Sequence, residues 1–450
     1  MEAIVNALVL FGVSLLLALA PAAALWRLPQ RPKPIRFALL LCYHALFCLL
    51  GVLLLNGLPG YFVENTEVYA KLELLQDRDE RPERPFILID NSGNKQLVPD
   101  PEGNLEDSTV VVVTDRTKLA RLLKRLAAKQ EHIAQVVVDI RFVEPSAADS
   151  SLREAVLDLA AHGKILLARA HEGNTDRLDF GADVMADVTA YEQEDLLVWY
   201  RSAREEGHAL PYALYLRLHR RTAEPFALGL WKESGEGGPT RLVYPGFMPT
   251  WSHLPKVNDE ATGPDRLPMP IGHALDAGWS RLLRRLDTAG EGMEPVVFIG
   301  EFPLRANEAS VDLHRSYAGT STGSAMLVDL YHEMERGAHV VKGRSLMGLF
   351  IALVLCSWFV FARAWPRTSE PPPVTFSAIA RKHVEDALKG AGPLLVLIMV
   401  AWWMRAAADQ QMNLAPALIY FVVLMGLVGA VRRVRQRKLD ADRTGRKAAQ

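Results

Sequence analysis

Residues 108–168 read STVVVVTDRTKLARLLKRLAAKQEHIAQVVVDIRFVEPSAADSSLREAVLDLAAHGKILLA, and this stretch decides the fold. Three short apolar runs, STVVVVT (108–114), QVVVDI (135–140) and KILLA (164–168), have the composition of strands buried on both faces. Between the first two, Lys118 to Lys129 carries leucines at helical spacing. Between the second and third, Ser150 or Ser151 caps a predicted helix through Ala161, with Glu154 placed for a capping box. Strand, helix, strand, helix, strand predicts parallel pairing with right-handed crossovers. PVVFIG (295–300) reads as a further buried strand. The stretch 172–294 between them reads as a long elaboration. It holds a predicted helix near Leu210–Arg220 and strands near Phe226–Trp231 and Leu242–Tyr244. No internal repeat is visible.

Outward from this α/β core the chain turns greasy. Apolar runs cover about 4–26 and 37–57 on one side, and about 346–362, 390–404 and 414–431 on the other. Mean hydropathy is +0.06, high for a water-soluble protein and low for a transporter. The fold class predicted is therefore an integral membrane protein. An extracytoplasmic α/β domain with a mainly parallel sheet (63–343) lies between two N-terminal (1–62) and three C-terminal transmembrane helices (344–431), and a basic tail (432–450) follows. The fourth run is short for a span. It reads as a crossing with Lys389 and Arg405 at its ends, or as a re-entrant or interfacial helix.

Orientation follows from charge. Arg27, Arg31, Lys33 and Arg36 follow the first run, and its leading edge has no basic residue, unlike a signal peptide. Arg363, Arg367, Arg381, Lys382 and Lys389 follow the third run, and Arg432, Arg433, Arg435, Arg437 and Lys438 follow the fifth. Five helices put every basic cluster on the cytoplasmic side. The localisation expected is a bacterial inner membrane, with the central domain periplasmic and the C-terminus cytoplasmic. All three cysteines, Cys42, Cys48 and Cys356, sit in apolar runs, so a packed core rather than disulfides must hold the domain. His44, inside the second run, reads as a bundle-facing histidine bonded to a carbonyl or as part of a proton relay.

Ligands of open parallel sheets gather beyond the carboxyl ends of the strands. The candidate ligand-binding residues there are Asp115, Arg116, Asp139, Arg141, Glu144, Arg169 and Glu301. The same charges also read as a salt-bridge network closing the sheet edge. No nucleophile elbow, zinc-protease motif, P-loop or dinucleotide fingerprint occurs, so no catalytic residue, cofactor or metal is predicted. His332 and His339 are two turns apart on one predicted helix, too far for a shared ion. GTSTG (319–323) reads as a loop and N-cap, and NSGN (91–94) as a turn.

VVVVTDRTKLARLLKRL, VVVDIRFVEPSAADSSLREAV and ILLARA together resemble the second type of CHASE domain, the cyclase/histidine-kinase-associated sensory extracellular domain. Asp139, Phe142, Glu144, Pro145 and Asp149 fit its D-x-x-F-x-E-P-x-x-x-D element. PVVFIGEF is similar to a second strand of the family, and TSTGSAMLVDLYHEMERGAHVV to its closing helix, which leads into a membrane segment. The likeness spans about residues 60–430. It implies an extracytoplasmic sensor. This chain departs from the family in having two leading helices instead of one and no fused effector, and in pairing Asp115 with Arg116.

Three functions are expected in descending order. The first is a stand-alone receptor subunit that passes a signal through its membrane helices to a separate cytoplasmic or membrane effector protein. In it, the helix from Gly323 to Gly337 acts as a lever continuous with the third membrane helix. The second is a structural or assembly subunit of a cell-envelope complex, and the third a membrane-anchored hydrolase using strand-end carboxylates. Membrane lipid is an expected partner and nucleic acid is not; a homo-oligomer is left open. The tail after Val431 has eight basic and two acidic residues and reads as a lipid-attracted anchor. Ile379, Val384 and Leu388 offer a small apolar face in the loop before the fourth run.

Overall fold

The computed structural model of the chain describes residues 34–56, 84–99, 110–142, 145–169, most of 178–247, 268–288, 293–302, 313–316, 319–364, 391–400 and 420–430, with a few single positions besides. The chain divides into two bodies, Thr66–His339 and the combination of Met1–Asn65 with Val340–Gln450.

The first body is built on a parallel sheet. Its strands are β1 (Phe86–Asp90), β4 (Gln135–Val138), β5 (Ile165–Arg169), β6 (Met185–Asp187), β13 (Met269–Pro270) and β14 (Val296–Gly300). Their spatial order is β13-β1-β14-β4-β5-β6, and every neighbouring pair is parallel. A sheet buried on both faces needs apolar residues at consecutive positions, which the valines and leucines of QVVV, ILLAR and VVFIG supply.

Helices cover both faces. On one, α2 (Arg116–Ala127), α3 (Asp149–Ala161), α5 (Ile271–Leu275) and α6 (Trp279–Thr288) share a core with Ile87, Ile89, Val136, Val138, Val297 and Ile299. The leucines of α2 at 119, 122, 123 and 126 recur at i, i+3, i+4 and i+7 and are fully buried. Asp115 starts that helix, its carboxylate accepting from the amides of Thr117 and Lys118, and Lys124 and Arg125 sit favourably in the last turn. On the other face, α4 (Leu210–Leu218) packs on β5 and β6, and α7 (Gly323–Glu335) packs beside α4.

The expected core of alternating strands and helices is present, with one strand reassigned. VVVVT forms β3 (Val110–Thr114), which pairs antiparallel with β2 (Lys95–Pro99) in a separate two-stranded ladder. Phe86–Asp90 takes the first place in the parallel sheet instead, and β14 lies between β1 and β4. Four valines specify burial and extension but not which partner strand they meet. The capping box before α3 does not form: its N-cap is Ala148 without a side-chain bond, and Glu154 pairs with Lys124 at 2.6 Å.

Strands β7 (Tyr191–Gln193), β8 (Leu196–Arg201) and β12 (Gly246–Phe247) of the elaboration form one sheet with β15 (Leu313–Ser316) and β16 (Gly319–Thr322), which follow β14. The elaboration also has an antiparallel sheet of β9 (Arg221–Pro225), β10 (Trp231–Gly235) and β11 (Arg241–Val243). The strand expected over Phe226–Trp231 is thus mostly the connection between β9 and β10. GTSTG is largely strand, with Thr322 capping α7 by accepting from the Ala325 amide at 3.2 Å.

Helix α7 is not continuous with the next helix. Gly337 adopts φ 75°, its amide donates to Met334 O at 2.9 Å, and the Ala338 amide donates to Glu333 O at 3.0 Å. This is the Schellman pattern of a helix stop, in which glycine takes the left-handed position. Helix α8 (Gly343–Ala364) begins six residues later. The single lever expected from sequence is two helices with a stop between them, and His339 lies beyond α7 rather than on it.

In the second body, α1 (Pro34–Asn56), α8, α9 (Ala391–Val400) and α10 (Tyr420–Ala430) are described. Among the described residues, Gly343–Phe361 is the one helical segment long and apolar enough to cross a membrane; Phe37–Val52, Ala391–Val400 and Tyr420–Ala430 are shorter apolar helices. The first apolar run, the loop at 365–389 and most of the tail lie outside the described residues. His44 bonds side chains rather than a carbonyl. Its Nδ1 lies 2.7 Å from Ser357 Oγ and its Nε2 2.6 Å from the Tyr420 hydroxyl. Ser357 donates its own proton to Leu353 O at 2.6 Å, so Nδ1–H donates to Ser357 and Tyr420 donates to Nε2. One histidine thereby ties α1, α8 and α10 together. Small residues let the helices close up: a Cβ at Gly348 would overlap the Trp403 ring, and one at Gly392 would sit 3.1 Å from Phe359.

Candidate functional site

The carboxyl ends of β1, β14 and β4 converge on one polar seam. Asp90, the last residue of β1, is 7% exposed and accepts three hydrogen bonds, from the Ser92 amide (2.9 Å), the Ser92 hydroxyl (2.8 Å) and the Phe302 amide (2.9 Å). Asp139 follows β4 and accepts from the Ser324 hydroxyl at 2.6 Å. Ser324 in turn accepts from the Glu301 amide at 3.0 Å. Glu301 pairs with Lys95 through a short contact. The seam requires Gly300, because a Cβ there would overlap Ser324 and push the first turn of α7 off the strand end.

Asp139 and Glu301 are thus brought together, and Asp90, Lys95 and Ser324 join them. Sequence reasoning missed these three. The available signal was FILID followed by NSGN, an apolar run ending in a carboxylate before a turn. That turn closes through the Asn94 amide donating to Asn91 O at 2.9 Å, and it aims Ser92 back at Asp90.

Asp115 and Arg116 belong to a neighbouring patch. Asn94 joins the two, its side chain donating to Asp115 O at 3.0 Å. Arg116 is 2% exposed, pairs with Asp149 and lies 5.3 Å from the centre of the Phe142 ring. An arginine so enclosed between a carboxylate and an aromatic face holds the start of α3 against the start of α2. Arg169 stands at the far side of the edge, in register with Asp187 of β6. Arg141 is exposed beyond β4, and Glu144 lies outside the described residues. Of the seven candidates, Asp139 and Glu301 meet in the seam and Asp115 and Arg116 in the neighbouring patch.

A second polar cluster is buried in the elaboration. Glu233 of β10 is fully buried and accepts from the Tyr212 hydroxyl at 2.7 Å and from His339 Nε2 at 2.9 Å. Burial works to raise its carboxyl pKa. The hydrogen bonds from His339 and Tyr212, together with the charges of His339 and Arg221, outweigh burial and hold it below the usual carboxylate range. His339 also holds the chain end of the body, its carbonyl accepting from the Tyr244 amide at 2.9 Å.

Among the described residues no group of three histidine, cysteine or acidic side chains converges to hold a metal. The seam is suited to holding, and releasing, the first turn of α7: a polar ligand would compete for the Lys95 ammonium and the Ser324 hydroxyl. No family model, curated protein or solved structure matches the chain significantly.

Proposed function

We propose that the chain is a membrane-bound extracytoplasmic sensor subunit, of the CHASE kind, that passes a signal through membrane helices to a separate effector protein. The observation that carries this reading is the course of α7. Its first turn is latched to the strand-end seam through Ser324, and its last residues run through Gly337 and His339 into α8, which contains the one described helical segment long and apolar enough to cross a membrane. A ligand that displaced Ser324 from Asp139 would free the start of α7 and alter the load on the segment entering the bilayer. Such coupling needs different affinity for the latched and released states.

Membrane placement rests on the surfaces of the second body. Helix α8 buries Leu349, Leu353, Cys356, Ser357 and Val360 and exposes Met347, Ile351, Leu355 and Trp358. Helix α1 buries His44 and Cys48 and exposes Leu39, Tyr43, Leu46 and Leu50. Apolar groups outside as well as inside, with His44 and Ser357 paired within the bundle, suit lipid as the solvent. With the basic clusters cytoplasmic, five crossings put the α/β body in the periplasm of a bacterial cell.

A structural subunit of an envelope complex is the second reading, favoured by carboxylates that already have partners within the seam. Co-purification from gently solubilised membranes, read by mass spectrometry for wild type and Ser324→Ala, separates the two. The sensor reading expects a stoichiometric effector with a kinase, cyclase or comparable output domain, whose activity changes in Ser324→Ala while the complex persists. Envelope or secretion components lost in that variant support the structural subunit; recovery of the chain alone contradicts both.

A further inference from the structure

A cavity of about 610 Å³ opens at the opposite end of the parallel sheet, where β4, β5, β6 and β14 begin. Its walls carry four cations, Arg84, Lys164, Arg217 and Arg220, and two carboxylates, Asp183 and Glu294. The balance is two positive charges. Three of the cations have evident structural partners. Arg84 donates to Glu294 O at 2.9 Å, Lys164 to Ile133 O at 2.6 Å, and Arg217 to Ile165 O at 2.9 Å and to Asp183 O. They satisfy carbonyls left at strand starts and helix ends.

Arg220 does not fit that explanation. It follows the C-cap of α4 with φ 48°, a left-handed conformation that glycine adopts without strain and that few other residues occupy. Its guanidinium has no partner among the described residues, and it is exposed on the cavity wall. Gln135 adds a second anomaly. It lines the cavity, is 2% exposed, and its side-chain nitrogen has no hydrogen-bond acceptor among the described residues. Buried donors are rarely left unpaired.

We infer that this cavity binds a small organic dianion, a carboxylate- or phosphate-bearing molecule, with Arg220 closing over the charge and the Gln135 amide donating to it. The volume lies within the range of small-molecule sites and far exceeds one inorganic phosphate, so the anion has an organic body. Guanidinium is the side chain suited to planar, paired hydrogen bonding of carboxylate or phosphate. This site is separate from the strand-end seam and does not depend on the sensor reading.

The test is calorimetric titration of the full chain in detergent micelles with succinate, glycerol 3-phosphate, neutral glycerol and choline. Wild type is expected to bind at least one of the two dianions saturably and neither control. Arg220→Gly removes the guanidinium and relieves the backbone, so its thermal midpoint should hold or rise while dianion affinity falls about tenfold or more. Gln135→Leu, of similar size, should weaken binding independently. Response to succinate alone identifies a dicarboxylate, and response to glycerol 3-phosphate alone a phosphate ester. No saturable response to either dianion, or unchanged affinity in Arg220→Gly, overturns the inference.

Discussion

The two bodies of this chain differ in what they present at their surfaces. In Thr66–His339 the described large apolar side chains with high exposure are Leu157, Phe226 and Met293. The second body, with far fewer described residues, exposes sixteen, twelve of them along α1, α8 and α9. Both interiors are mainly apolar, with Leu349, Leu353, Phe361, Phe421 and Leu424 in the second body and Ile89, Val137 and Leu122 in the first. The same physical rule, that each side chain goes where its solvation is best met, produces both patterns. The proposed membrane placement accounts for the difference by the solvent, water around one body and hydrocarbon around the other.

Ile351 is the position at which to break that comparison. It is 53% exposed on α8. Against lipid, Ile351→Asp costs about 2.5–3.5 kcal/mol of insertion and should deplete the chain from the membrane fraction. Against water the same change stays within about 0.5 kcal/mol, and membrane recovery would be unaltered.

A smaller effect sharpens the other side. Burial holds His208 and His219 below the ordinary value of 6.5, against the opposing pull of Glu233 and Glu335. A histidine favoured neutral in the folded state contributes stability fully above its unfolded pKa and loses it as pH falls through the folded one. Glu233 and Glu335, both held below 4.5, likewise contribute stability above that value and lose it below. All four act in one direction. Hydrogen-exchange protection of β9, β10 and α4 should therefore decline as pH drops below about 6.5 and more steeply below about 4.5, after correction for intrinsic exchange. Protection that stayed flat or rose toward acid pH would contradict this.

Much of the first body was legible because its elements are locally determined. QVVVD, ILLAR and VVFIG are too apolar for any place but the middle of a covered sheet, and the leucines of α2 leave one face for the core. Sheet order was not legible. Whether VVVVT or FILID enters the parallel sheet depends on contacts with residues hundreds of positions away, and both runs satisfy the same local pattern. The seam was half legible for the same reason: Asp139 and Glu301 follow recognisable strands, whereas Asp90 follows the strand that was overlooked. Ser324 looked like part of a helix cap and acquires its role only when Gly300 lets α7 approach β14. Arg220 gave no sequence signal, since its backbone conformation is invisible until the turn is built.

The most direct test is spin-label accessibility along α8 in lipid nanodiscs, with single cysteines placed in turn at 347, 351 and 355 in a chain whose three native cysteines are replaced. The account predicts that oxygen, concentrated in hydrocarbon, relaxes labels at all three positions far more than a water-soluble nickel chelate does. Preferential relaxation by the nickel chelate along that stripe would place α8 in water and contradict the membrane bundle on which the proposed signal path depends.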